Sequence, residues 1–185
     1  VDKGISGICI TDACDMEEFE EQKYGKRLMY SCFAAHKAQD IFSQQLIVTN
    51  GVEMCQPLAD PDRAVQVIGE NRFDFVLGSL HKTRKYGDMM MLNYAHPALD
   101  LQDVFRSYYE ELLEVVQWGH FDSLAHLGYP LRYLKPYNRT VDLAQIDDVF
   151  AEIMKSLVAQ GKALELNTGG LRMEIEAFKV GGQAG

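Results

Sequence analysis

The chain is predicted to fold as an α/β domain built around a parallel sheet, open or closed. Three observations carry this expectation. Short apolar runs alternate with helix-length segments at least four times, the signature of repeated β/α units rather than of hairpins. No apolar run reaches the roughly 18 residues needed to span a bilayer. The exits of successive apolar runs carry ligand-type side chains, Glu53, His81 and His126, at the edge where repeating β/α chains build their sites.

The 185 residues suffice for one domain with a core. A net charge of −9 argues against a general binder of nucleic acid or acidic membranes. The N-terminus lacks the basic and apolar regions of a signal peptide. Cys9, Cys14, Cys32 and Cys55 match no zinc-knuckle spacing, so reduced thiols in a cytoplasmic protein are expected. The chain begins with Val and closes on a loose Gly-rich stretch, Gly181 to Gly185; both ends read as cut.

In order, Ile5 to Thr11 suits a buried strand, being compact and β-branched. Asp12 to Asp15 reads as the loop after it. The acidic run from Glu17 to Glu21 reads as solvated, because it lacks the spacing of a calcium loop. A helix is expected from about Lys26 to Gln45, with Leu28, Cys32, Ala35 and Ile41 at helical spacing and no Gly or Pro; His36 within it reads as surface. Leu46 to Met54 is the second strand. Asp60-Pro61 supplies an N-cap and a first-turn proline for a helix ending near Gly69. Phe73 to Leu77 is the third strand, with Gly78-Ser79-Leu80-His81 leaving it. Lys82 to Pro97 reads as an irregular insertion, whose Met89–Met91 run plugs a core or covers a site. Lys82, Arg84 and Lys85 could face an anionic substrate, but solvating the loop is the preferred reading. Asp100 caps the next helix, striped by Val104, Tyr108, Leu112 and Val115 and ending at Gly119. Phe121 to Leu127 is a brief strand ending in His126. After a loop from Tyr129 to Asn138, Asp142 starts a helix whose face is Ile146, Val149, Phe150, Ile153, Met154, Leu157 and Val158, stopped by Gly161. Ala163 to Asn167 is the last strand.

A carboxylate such as Glu53 at the end of an apolar strand is costly to bury unpaired. It is either solvated by the following loop or bound to a metal. Two imidazoles and a carboxylate suffice for Zn, Mn or Fe(II) with open positions remaining. A metal-bound water is a usable nucleophile near neutral pH. Gly169-Gly170 with Arg172 suits an oxyanion, though a flexible turn with a surface arginine explains the same residues. Together these residues suggest metal-assisted hydrolysis.

The segments GVEM, GSLH, FDSLAHLGYP and LELNTGGLR, with ITDAC upstream, resemble the PHP (polymerase and histidinol phosphatase) family over essentially the whole chain. They are most similar to its histidinol-phosphate phosphatases. The resemblance implies a distorted (β/α)7 TIM-like barrel with up to three divalent metals at its C-terminal mouth. It implies a cytoplasmic enzyme of histidine biosynthesis, hydrolysing L-histidinol phosphate to L-histidinol and phosphate. Glu53 would bridge two metals, His81 and His126 would complete the second metal's ligands, and Arg172 would contact phosphate. The chain departs from the family pattern at three places. The H-x-H of the first strand is absent. The T-D-H motif reads Thr11-Asp12-Ala13, and alanine cannot bind metal. The closing D-x-H motif is not present after the GLR segment. Residues 1–185 are thus expected to form one partial PHP domain, lacking first and last strands and holding fewer than three metals. A non-catalytic fragment with one metal or a partner-binding site is the alternative.

Overall fold

The computed structural model describes residues 4–168. Its elements follow the expected β/α alternation. They are β1 (Gly7–Asp15), α1 (Tyr24–Phe42), β2 (Ile47–Cys55), α2 (Pro61–Asn71), β3 (Phe75–Ser79), β4 (Lys82–Thr83), β5 (Gly87–Asp88), α3 (Leu101–Trp118), β6 (Ser123–Leu124), α4 (Asp147–Ala159) and β7 (Ala163–Leu164). Five strands form one sheet in the order β1-β2-β3-β6-β7, and every pairing in it is parallel. Strand order follows chain order, so each β/α unit adds its strand beside the last. β4 and β5 form a separate antiparallel pair.

The first strand runs longer than the sequence suggests. Asp12 to Asp15, expected as loop, continues β1, because β2 offers backbone partners up to Asp15↔Cys55. Nor is β1 buried throughout: Ile8 and Ile10 are exposed and only its C-terminal end, from Cys14, is enclosed. β2 sits between β1 and β3, and Gly51 makes the close approach possible. A Cβ there would lie 2.6 Å from Cys9 Sγ and from the Phe75 carbonyl.

The core gathers around α3. Asp100 accepts the amide protons of Gln102 and Asp103 at 3.0 and 3.2 Å, satisfying donors that the first turn leaves free. Gly119 takes φ 71 at the other end and bonds back to Val115, a conformation glycine adopts at little cost. Val104, Tyr108, Leu112 and Val115 are fully buried between these caps. α4 is shorter than expected. Asp142 caps a 3-10 turn, Leu143–Ile146, before the α-helix begins at Asp147. Ile146, Val149, Ile153 and Leu157 turn inward, with Phe150 and Met154 packed beside them. Val158, expected on that face, is exposed.

α1 contrasts with α3. Leu28 and Ala35 are buried, but Ile41, expected inside, is exposed together with Met29, Tyr30 and Phe33. Of the methionine run, Met89 is fully buried while Met90 and Met91 are exposed. β6 and β7 are only two residues each, so the expected Phe121–Leu127 strand shrinks to its middle and the expected Ala163–Asn167 strand to its first two residues. No helix among the described residues is long and apolar enough to cross a membrane.

Candidate metal centre

The parallel register carries the exits of β2, β3 and β6 to one edge of the sheet. Glu53 lies in β2, opposite Ala13 of β1 and Leu77 of β3. His81 and His126 each stand two residues beyond the last residue of their strands. His81 Nε2 and His126 Nε2 are 3.2 Å apart. Glu53 Oε1 lies 3.0 Å from the His126 nitrogen and 3.4 Å from the His81 nitrogen. All three side chains retain some exposure, between 12% and 24%. A cation could therefore reach them. Ligands about 2.0–2.1 Å from a tetrahedral Zn²⁺ stand roughly 3.3 Å from one another, so this triangle fits a small divalent cation. Among the described residues this is the group of three or more His, Cys, Asp or Glu donors drawn together within 4.8 Å.

The electrostatics suit the same role. Burial pushes the Glu53 carboxyl up, but the hydrogen bond and charge of His126, the charge of His81 and the Ser79 hydroxyl outweigh it and bring it down to about 2. Burial, reinforced by His126, pulls His81 below the ordinary imidazole range, against the opposing pull of Glu53. An ionised carboxylate beside a neutral imidazole is the form that binds metal.

Each imidazole is seated by groups the sequence did not single out. The Gln56 side chain accepts the His81 and Lys82 amide protons, at 2.6 and 3.1 Å, and donates to the Lys82 carbonyl at 3.0 Å. The Glu165 carboxylate accepts the His126 amide proton at 2.6 Å. His126 has φ 23, a backbone state that non-glycine residues rarely take. The Tyr129 ring lies 4.6 Å from the His81 ring and 5.1 Å from the His126 ring, walling one side. Glu165 could have been found by the rule that flagged Glu53, a carboxylate leaving an apolar strand. Gln56 offers no such signal.

Lys82 is not a solvated loop lysine. Its Nζ lies 2.6 Å from Glu18, 2.9 Å from Glu17 and 3.3 Å from Asp15. Burial pulls the ammonium down, yet these carboxylates hold it well above its ordinary value. The acidic run after β1 is thus partly spent on one buried-side cation. Arg84 pairs with Glu111 and Glu114, and Lys85 with Asp103. With their charges so paired, these three residues are poor candidates for an anion site. His36 is exposed on α1, and His96 accepts an amide proton from Ala98 at 3.2 Å. Arg172 lies outside the described residues.

Comparison with known proteins identifies the family. The PHP domain profile matches residues 1–169. A histidinol-phosphatase of Lactococcus lactis subsp. lactis (strain IL1403) is 27% identical over 168 residues, which cover 89% of this chain and 61% of that protein. A probable histidinol-phosphatase of Deinococcus radiodurans is 29% identical over 186 residues, covering 96% of this chain and 68% of that protein. Another from Thermotoga maritima is 32% identical over 174 residues, covering 91% and 59%. The crystal structure of the Lactococcus lactis histidinol phosphate phosphatase, complexed with zinc, L-histidinol and phosphate, matches with a TM-score of 0.60 at 22% identity. That match covers 89% of this chain and 62% of that one and is a likeness of fold. The chain thus spans 59% to 68% of the length of these curated relatives. Since the domain profile covers nearly all of it, the chain belongs to the PHP domain family.

Proposed function

We propose that this chain is the greater part of a metal-dependent phosphomonoesterase acting on L-histidinol phosphate, with Glu53, His81 and His126 as the ligands of one divalent cation, Zn, Mn or Fe. The observation that carries the proposal is the convergence of Glu53 Oε1, His81 Nε2 and His126 Nε2. The names of the Lactococcus, Deinococcus and Thermotoga relatives supply the substrate. A divalent cation there would supply positive charge to a phosphoryl oxygen and make water acidic enough to attack. The protein's own part is to hold the Glu53 carboxylate ionised, to disfavour the charged form of His81, and to wall the site with Tyr129. Arg172, by the family resemblance, would pair with the phosphate.

Strictly sequential parallel strands support the (β/α)7 barrel as the complete architecture, with residues 1–185 as one partial PHP domain. The four free cysteines suit a reducing, cytoplasmic setting.

A second reading is a one-cation, non-catalytic domain. It is favoured by Ala13, which stands directly opposite Glu53 on the neighbouring strand, where the family pattern has a metal-binding histidine. Elemental analysis of the purified chain, with phosphate release from L-histidinol phosphate measured on the same sample, separates the two. Metal with turnover supports the hydrolase. About one metal per chain without turnover supports the second reading, and absence of metal overturns both.

A further inference from the structure

We infer that Gln56 is a positioning residue for the cation site, holding His81 at a set distance from Glu53 by clamping the turn that carries the imidazole. The inference rests on the proposed role of Glu53, His81 and His126 as cation ligands. Gln56 follows β2 directly, three residues after Glu53, and reaches across to the exit of β3. Its side-chain oxygen takes two successive amide protons, of His81 and Lys82, and its side-chain nitrogen gives a proton to the Lys82 carbonyl. Its own amide donates to the Ser79 carbonyl at 3.1 Å. The Ser79–Lys82 turn is therefore tied at both ends to one residue of the neighbouring strand exit. The strand carrying Glu53 and the turn carrying His81 must then move together.

Two features argue that the side chain serves this purpose and no other. Gln56 occupies the cap position of the 3-10 turn Pro57–Ala59, yet its side chain makes no capping bond there. Its backbone is left-handed, with φ 54. Glycine would take that conformation with less strain but has no amide to offer. The clamp is also neutral. It satisfies the His81 and Lys82 donors, whose burial without partners is unfavourable, and adds no charge to compete with a cation.

The test is Co²⁺ and Zn²⁺ binding by calorimetry to the full chain and its Gln56→Leu, Gln56→Gly and Gln56→Glu variants, with thermal midpoints measured metal-free. Gln56→Leu and Gln56→Gly are expected to bind about 10- to 100-fold more weakly, the usual loss when an outer-shell partner is removed. Gln56→Glu retains the oxygen facing the two amides but replaces the donor to the Lys82 carbonyl with an acceptor, so its affinity should fall between those of the wild type and the Leu variant. Amide hydrogen exchange at His81 and Lys82 should accelerate in the Leu and Gly variants alone. The glycine variant relieves the backbone while deleting the clamp, so a purely conformational role predicts wild-type affinity for it. That result, or equal affinity in all four proteins, overturns the inference while leaving the cation site standing. A wild-type chain that binds neither ion removes the cation site, and the inference with it.

Discussion

The two imidazoles of the cluster reach the same point by different means. His81 leaves a five-residue strand that pairs with β2 along its whole length, and a neutral amide, Gln56, takes its backbone proton. His126 leaves a strand of two residues, takes a backbone angle costing about 1–3 kcal/mol in such cases, and is held by a carboxylate, Glu165. One limb joins a full-length strand ladder to a neutral side-chain amide; the other joins a short ladder, extended by the Ala125 amide to the Gly78 carbonyl, to one charged contact on a strained residue. The comparison teaches that a ladder of backbone hydrogen bonds and one strong side-chain bond can do the same positioning, with different vulnerabilities.

The largest effect tests what the limbs share. His81→Ala and His126→Ala should each weaken metal binding by more than about 100-fold, beyond the range of outer-shell losses; His36→Ala, on the exposed face of α1, should leave it unchanged. Metal content after dialysis reads this directly, and equal loss in all three variants would break the assignment.

A smaller effect separates the limbs. Glu165→Ala should weaken Co²⁺ binding about 10-fold, whereas Glu165→Gln, which keeps an acceptor for the His126 amide, should lose less. Co²⁺ absorption spectra should change shape in the alanine variant as His126 relaxes. Identical spectra would show that the carboxylate does not hold the ring.

Gly78→Ala tests their mechanical connection. A Cβ at Gly78 would lie 2.8 Å from the Phe121 ring, so the β3 and β6 limbs would be pushed apart. Overpacking of this kind costs about 1–3 kcal/mol, measurable by urea unfolding. A neutral outcome would show that the limbs can shift independently.

The gentlest perturbation is acid, applied to the metal-free protein. Glu53 falls to about 2 from an ordinary 4.5, so its contribution is full above pH 4.5 and is lost as pH drops through that interval. His81 lies below its ordinary 6.5, so the unfolded chain takes up that proton first. Both act in the same direction: stability should hold above about pH 6.5 and decline below it. Glu53→Gln should flatten the lower part of the decline and, by removing the charge that pulls His81 up, keep or deepen the upper part, as followed by thermal midpoints.

Much of this molecule is legible in its residues. Asp100 and Gly119 mark α3, and Asp60-Pro61 starts α2, because caps are local chemistry. Glu53, His81 and His126 draw notice because donors at the exits of apolar runs are chemically conspicuous. Other features need the neighbours. Asp12 to Asp15 becomes strand only because β2 extends beside it. Ile41 and Val158 keep helical spacing yet stay exposed, since periodicity fixes a face and not what packs against it. Lys82 looks like any loop lysine until Asp15, Glu17 and Glu18 surround it.

The residues alone set the alternation of elements, the caps at Asp60, Asp100 and Gly119 and the inventory of side chains able to bind a metal, because these depend on local propensity and side-chain chemistry. Tertiary structure decided how far each strand runs, which faces are covered and how Gln56 and Glu165 seat the imidazoles. Those outcomes depend on contacts between residues far apart in the chain, and no local pattern records which distant partner will arrive.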